Sequence, residues 1–166
     1  MQEAGVDWTV VRASWFMQNF DESYLVEPLQ AGEVVLPVGP VPEPFVDAGD
    51  IADVAVAALT EPGHAGRLYE VTGPRMLTFA QAVAEIAGAT GRDIAYVQVP
   101  PDDYVAALRA EQMPDDVVEL LTYLFTTVLD GRNSHLTDGV QQALGRPPRD
   151  FSAFAAEAAA TGIWHP

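Results

Sequence analysis

Apolar residues fall along the chain in short blocks with two different periods. Asp7-Trp8-Thr9-Val10-Val11-Arg12 follows Gly5 and is aromatic and β-branched, which predicts a strand. Val10 and Val11 are adjacent, the pattern of a strand covered on both faces. So early in the sequence, such a strand has little ahead of it to supply that cover. Phe16, Phe20 and Tyr24 then recur every fourth residue and predict one apolar helical face within residues 14–30. Residues 31–46 predict a hairpin-like excursion, with a short strand at Glu33-Val34-Val35-Leu36-Pro37. A loop made by Gly39, Pro40, Pro42 and Pro44 follows it.

From Asp50 the period turns helical, through Ile51, Val54, Val56, Ala57, Ala58 and Leu59 to a stop at Pro62-Gly63. Asp50 is the predicted N-cap and Asp53 an acid of the first turn. Residues 67–72 alternate as a strand ended by Gly73-Pro74. Thr78-Phe79-Ala80-Gln81 is a capping box, opening a helix through Val83 and Ile86 to Gly88 or Gly91. Residues 94–99 predict another strand. Beyond it the pattern is helical. Residues 102–112 carry Tyr104, Val105 and Leu108. Residues 115–130, opened by Pro114, place Val117, Leu120, Leu121, Leu124, Phe125 and Val128 on one broad face. Thr137 and Asp150 are the predicted caps of two further helices. No repeat or linker divides residues 1–166, so a single α/β domain is expected.

Composition narrows the chemistry. A chain of 166 residues, 49% apolar, can bury a core without disulfides or metals and is not disordered. It carries 24 acidic against 8 basic residues, a formal net charge of −16. That balance predicts no nucleic-acid partner and no binding to an anionic membrane surface. There is no cysteine, hence no disulfide and no thiolate chemistry. All eight basic residues are arginines, which removes Schiff-base and P-loop lysines and any Tyr-x-x-x-Lys pair. No run of 18 apolar residues and no signal-peptide pattern occurs, so a cytoplasmic protein is expected. The Ala-, Val-, Gly- and Pro-rich, lysine-free usage hints at a high-GC bacterial genome.

No Gly-x-Gly-x-x-Gly lies between a strand and a helix. His64, His135 and His165 are far apart, and His64, in a Pro-Gly-His-Ala-Gly turn, is expected at the surface. Asp47, Asp50 and Asp53 are spaced by three but read as cap and first-turn residues, so no metal site is predicted. Ser134-His135 reads as a chance adjacency, and no Gly-x-Ser-x-Gly elbow exists. A hydrolase or isomerase would need an acid such as Asp21 or Asp47 with a raised pKa in a cleft. One segment stands out. Ser14-Trp15-Phe16-Met17-Gln18-Asn19-Phe20 follows the end of a predicted parallel strand, where open α/β sheets bind ligands. Its aromatic residues and amide suit a flat aromatic ligand, or belong to the core; both readings stand.

Gly5-Val6-Asp7-Trp8-Thr9-Val10-Val11-Arg12 followed by Phe16-Met17-Gln18-Asn19 resembles the NmrA-like family of atypical short-chain dehydrogenases/reductases. Phe45-Val46-Asp47-Ala48-Gly49-Asp50-Ile51-Ala52, Tyr69-Glu70-Val71-Thr72-Gly73-Pro74, the Thr78 capping box and Leu144-Gly145-Arg146-Pro147-Pro148 with Phe151 are similar to later family segments. Ala13 stands where the family often has proline.

The resemblance matches the C-terminal part of the family fold. It implies that residues 1–75 are a remnant of a Rossmann-like sheet and 76–166 a mostly helical substrate-binding part. The N-terminal nucleotide-binding half would then be lacking. It further implies NADP or NAD as cofactor and a small aromatic or quinone-like ligand. Trp15, Phe16 and Asn19 would lie at the cofactor, and Met17, Phe20, Phe45 and Tyr104 at the substrate, while Arg12 and Asp50 look structural.

The expected function is the substrate-binding portion of an NAD(P)H-dependent oxidoreductase that does not hold the whole dinucleotide by itself. The alternative is a non-enzymatic, ligand-binding or oligomerising regulatory module. A homodimer is expected, covering the apolar faces left open.

Overall fold

A computed structural model describes residues 5–166. Two small parallel sheets organise the fold. β1 (Thr9–Ala13) pairs with β3 (Arg67–Val71), Thr9 opposite Arg67 and Ala13 opposite Val71. β2 (Glu33–Leu36) pairs with β4 (Ala95–Gln98), Glu33 opposite Ala95. Parallel pairing demands a crossover, so residues 31–46 form no hairpin: the partner of β2 arrives only after α2 (Ala48–Thr60), β3 and α3 (Phe79–Thr90). β1 is half-buried, with Arg12 exposed, instead of covered on both faces. Among the described residues β3 is its one strand neighbour.

Phe16, Phe20 and Tyr24 do not share a helix. Val46 donates its N–H to the Trp15 carbonyl and accepts one from Met17, both at 2.9 Å. This bridge holds Phe16 extended and breaks the period. Only a 3₁₀ turn at Met17–Phe20 follows, and α1 (Val26–Ala31) begins later.

The cap of α2 is Asp47, not Asp50: its carboxylate accepts from the Gly49 N–H at 2.7 Å. Asp50 therefore falls inside the first turn, fully buried, where Arg149 Nη1 meets it at 2.5 Å and Arg146 Nη1 at 2.7 Å. Asp53 meets the same two arginines at 3.2 and 2.6 Å. Asp50 and Asp53 thus tie α2 to the loop at 145–149.

The Thr78 capping box forms as predicted, and Gly91 ends α3 in the left-handed region at φ +66°. α4 (Pro101–Ala110) and α5 (Asp115–Tyr123) follow β4, and α5 runs into a π-helical turn at Leu124–Val128. The extra residue of that turn rotates the face. Val118, Leu121, Phe125 and Leu129 are buried, while Leu120 is exposed. α6 (Gly139–Leu144) starts from Asp138, not Thr137, whose hydroxyl instead donates to the Glu70 carbonyl. A Cβ on Gly139 would lie 2.1 Å from that same carbonyl oxygen, so only glycine lets α6 approach β3 this closely. α7 (Phe151–Thr161) is capped by Asp150 as expected, through the Ser152 N–H at 2.9 Å.

The main core lies over β2 and β4 and is aromatic. Phe20 meets Phe45, Phe79 and Phe151 with ring centroids 5.5, 5.8 and 5.4 Å apart. Trp164 is fully buried and donates its indole N–H to the Phe20 carbonyl at 2.7 Å. A second, smaller cluster of Val46, Val54, Tyr69, Val71 and Val140 lies against β1 and β3. His64 belongs beside it, buried, with its Nδ1 2.8 Å from the Tyr69 hydroxyl; the sequence reading placed it in solvent. No helix among the described residues is long and apolar enough to cross a membrane.

Candidate functional site

Because β1 and β3 are parallel, their C-terminal ends open on the same side. A cleft of about 250 Å³ lies there. Ser14 and Trp15 enter it from the end of β1, and Val71 and Thr72 from the end of β3. Its far wall carries Asn133, His135 and Thr137. That wall is fixed at two points. The Thr72 hydroxyl accepts the Thr137 N–H at 3.1 Å, and the Ser134 hydroxyl donates to the Pro42 carbonyl at 2.6 Å. Ser134 is thus a tether, and the exposed His135 stands at the rim. The Arg12–Glu70 ion pair, 2.6 Å, is also part of the lining and is largely exposed.

Trp15 packs in one aromatic cluster with Phe79 and Phe125, its ring centroid 5.6 and 5.8 Å from theirs. Its Nε1 is buried and has no hydrogen-bond partner. Phe16, Asn19 and Tyr24 line an adjoining opening of similar volume that shares Ser14, Trp15 and Leu124 with the cleft. The structure thus brings Trp15, Phe16 and Asn19 to one mouth. Met17, Phe20 and Phe45 lie inside the aromatic core and line none of these openings. Tyr104 lines a separate groove of about 750 Å³ between residues 21–36 and helices α4 and α5. Burial pushes its hydroxyl up to about 12. Asp21 borders the same groove; burial first, then the neighbouring Glu22, raises its carboxyl to about 6. Asp47 is engaged by Gly49 and by Gln18 Nε2 at 3.2 Å.

Sequence reasoning missed Glu43. It is 2% exposed, lines the cleft, and its Oε1 is buried without a partner. Its backbone is fixed by exchange with Leu77, whose carbonyl accepts at 2.8 Å and whose N–H donates at 3.0 Å. Burial first, then the charge of Asp130, pushes the carboxyl up to about 7. No local signal pointed to it, because Val41-Pro42-Glu43-Pro44-Phe45 reads as proline-rich loop. Gly73 braces this strand segment: a Cβ there would sit 1.9 Å from the Phe45 carbonyl oxygen.

The cleft can hold a flat, uncharged group against Trp15. It does not suit the pyrophosphate of a dinucleotide. Its one guanidinium is already paired with Glu70, and of the backbone N–H groups after β1 those of Ser14 and Met17 are engaged by the Val71 and Val46 carbonyls. No group of three or more His, Asp or Glu residues among the described residues is placed to hold a metal ion.

Curated relatives match almost the whole sequence. A NAD(P)H azoreductase of Xenophilus azovorans is 37% identical over 98% of this chain and 57% of its own length. A (4-alkanoyl-5-oxo-2,5-dihydrofuran-3-yl)methyl phosphate reductase of Streptomyces griseus is 35% identical over 95% of this chain and 55% of its own. The chain therefore spans about half the length of the curated relatives it matches.

Solved structures share the fold. Triphenylmethane reductase of Citrobacter superposes with a TM-score of 0.82 at 18% identity, covering 96% of this chain and 55% of that one. NADPH-dependent quinone oxidoreductase of Escherichia coli in complex with NADPH gives 0.81 at 23% identity, covering 94% and 55%. The model of the NmrA-like family matches residues 1–154, and the chain belongs to that family.

Proposed function

We propose that the chain is the C-terminal, substrate-side portion of an NAD(P)H-dependent oxidoreductase acting on a small aromatic or quinone-like molecule. The observation that carries this reading is the cleft at the ends of two parallel strands, walled by Trp15 and closed by a pinned loop. Ligands of open α/β sheets bind outside the carboxyl ends of the strands. The relatives named as azoreductase, quinone oxidoreductase and triphenylmethane reductase support the flat-ligand class. The cofactor would supply hydride; the residues here would orient the ligand and exclude water. Phosphate recognition would come from outside the cleft, since nothing in it cradles a pyrophosphate.

Calorimetric titration tests the division of labour. The 166-residue chain is expected to bind 1,4-naphthoquinone saturably and NADPH not at all. Saturable NADPH binding would show that this chain holds the dinucleotide itself. Absence of any response to the naphthoquinone would remove the cleft as the ligand site.

A second reading, an oligomerising module, is favoured by the other side of β1. Trp8, Val11 and Leu59 line a hollow of about 560 Å³, and Leu59 is 86% exposed. Apolar surface beside a strand edge that no other described strand pairs invites pairing. Light scattering at micromolar concentration is expected to give a homodimer, and a monodisperse monomer would count against it.

A further inference from the structure

Two buried polar atoms that find no partner in the protein belong to residues of one cleft: the Trp15 indole nitrogen and Glu43 Oε1. Buried polar groups are nearly always satisfied, by protein, water or ligand. Both residues are anchored to the cleft wall. Trp15 packs against Phe79 and Phe125 in one aromatic cluster, and its carbonyl accepts from the Val46 N–H. Glu43 is held by its two backbone bonds to Leu77.

We infer that the cleft binds a small, planar, uncharged ligand with two acceptor oxygens, one taking the Trp15 indole N–H and the other the proton of the Glu43 carboxylic acid. The inference rests on the cleft as ligand site, proposed above, and is independent of cofactor chemistry.

The surroundings agree with an uncharged ligand. Burial and the charge of Asp130 keep the Glu43 carboxyl protonated up to about pH 7, so it donates below that pH. Asp130 is itself paired with Arg132 at 2.5 Å. The remaining charges on the lining are the paired Arg12 and Glu70, with the exposed His135 at the rim. An anionic ligand would meet Glu70 and Glu43, and the one guanidinium on the lining is already paired. The volume of about 250 Å³ lies below the range of drug-sized pockets and suits a small ring system.

The test is calorimetric titration of the intact chain with 1,4-naphthoquinone at pH 6 and pH 8, in wild type, Glu43→Gln and Trp15→Phe. Wild type is expected to bind about tenfold more weakly at pH 8, where most of Glu43 has lost its proton. Glu43→Gln, whose amide donates at every pH, is expected to bind equally at both. The variant keeps His135, so the contrast isolates the carboxyl. Trp15→Phe is expected to lose about three- to tenfold at both pH values, the worth of one hydrogen bond. Wild-type binding without pH dependence, or a dependence that survives in Glu43→Gln, would overturn the role of Glu43 and leave the cleft standing. Undiminished binding by Trp15→Phe would overturn the second hydrogen bond. No binding at either pH would overturn this inference and the cleft reading together.

Discussion

The two parallel sheets of this protein are built alike and buried unlike. β2 and β4 lie under an aromatic core that draws on α3, α4, α5 and α7 and is closed by Trp164. β1 and β3 rest on a cluster of five buried residues, and β1 remains half-exposed. The first sheet is held by packing; the second is held by polar clamps: Asp50 with its arginines, His64 with Tyr69, Thr137 with Thr72. The cleft lies at the end of the less buried sheet. Packing and the proposed ligand cleft are thus divided between two regions, and the proposed site falls where burial is thinnest.

Removing an aromatic from the larger core probes the division most strongly. Phe79→Ala is expected to cost about 4 kcal/mol in urea unfolding, and Val71→Ala in the smaller cluster only about 2 kcal/mol. Equal costs would erase the contrast. Next comes the clamp. Asp50→Ala leaves Arg146 and Arg149 without their buried partner and is expected to cost about 3 kcal/mol, discounted because both arginines are partly exposed.

Glu43 gives a pH-dependent effect of similar or smaller size. Its carboxyl holds its proton more tightly in the fold than the usual value of 4.5. The stability this contributes is complete below that value and is lost as pH rises through about 7. Glu43→Gln is therefore expected to be more stable than wild type at pH 8 by about 2 kcal/mol, with no difference near pH 4. The smallest effect belongs to the rim: Arg12→Ala breaks an exposed ion pair and is expected to change stability by about 0.5 kcal/mol.

Elements whose signals are local were legible in the sequence. The Thr78 capping box, the Asp150 cap and the strand at 67–71 depend on neighbours within a few residues, and each formed where expected. The failures are tertiary. Val46 pairs with the backbone around Phe16 and overrides a helical period that the side chains alone supported. Asp50 gave way to Asp47 as cap because two arginines a hundred residues away claim it. Beyond Phe125 the buried position is Leu129 and not Val128, because a π-turn inserted one residue into the face. In the site, the Trp15 segment was visible from aromatic content and from its place after a strand. Glu43 was not, since nothing local to a proline-flanked glutamate says that Leu77 will pin it in a cleft.

The bond from Trp164 to the Phe20 carbonyl has a consequence for how the chain matures. It joins positions 144 residues apart, and the tail is held further by Gln30 on the Ile163 carbonyl and Arg92 on that of Trp164. During synthesis from the N-terminus onward, β1 must wait for β3 and β2 for β4, and the aromatic core lacks the Trp164 contact until residue 164 has been made. The aromatic core of these residues is therefore closed by a contact of long sequence separation. Until then the apolar faces that Trp164 covers are open to other chains, as is general for contacts of long sequence separation.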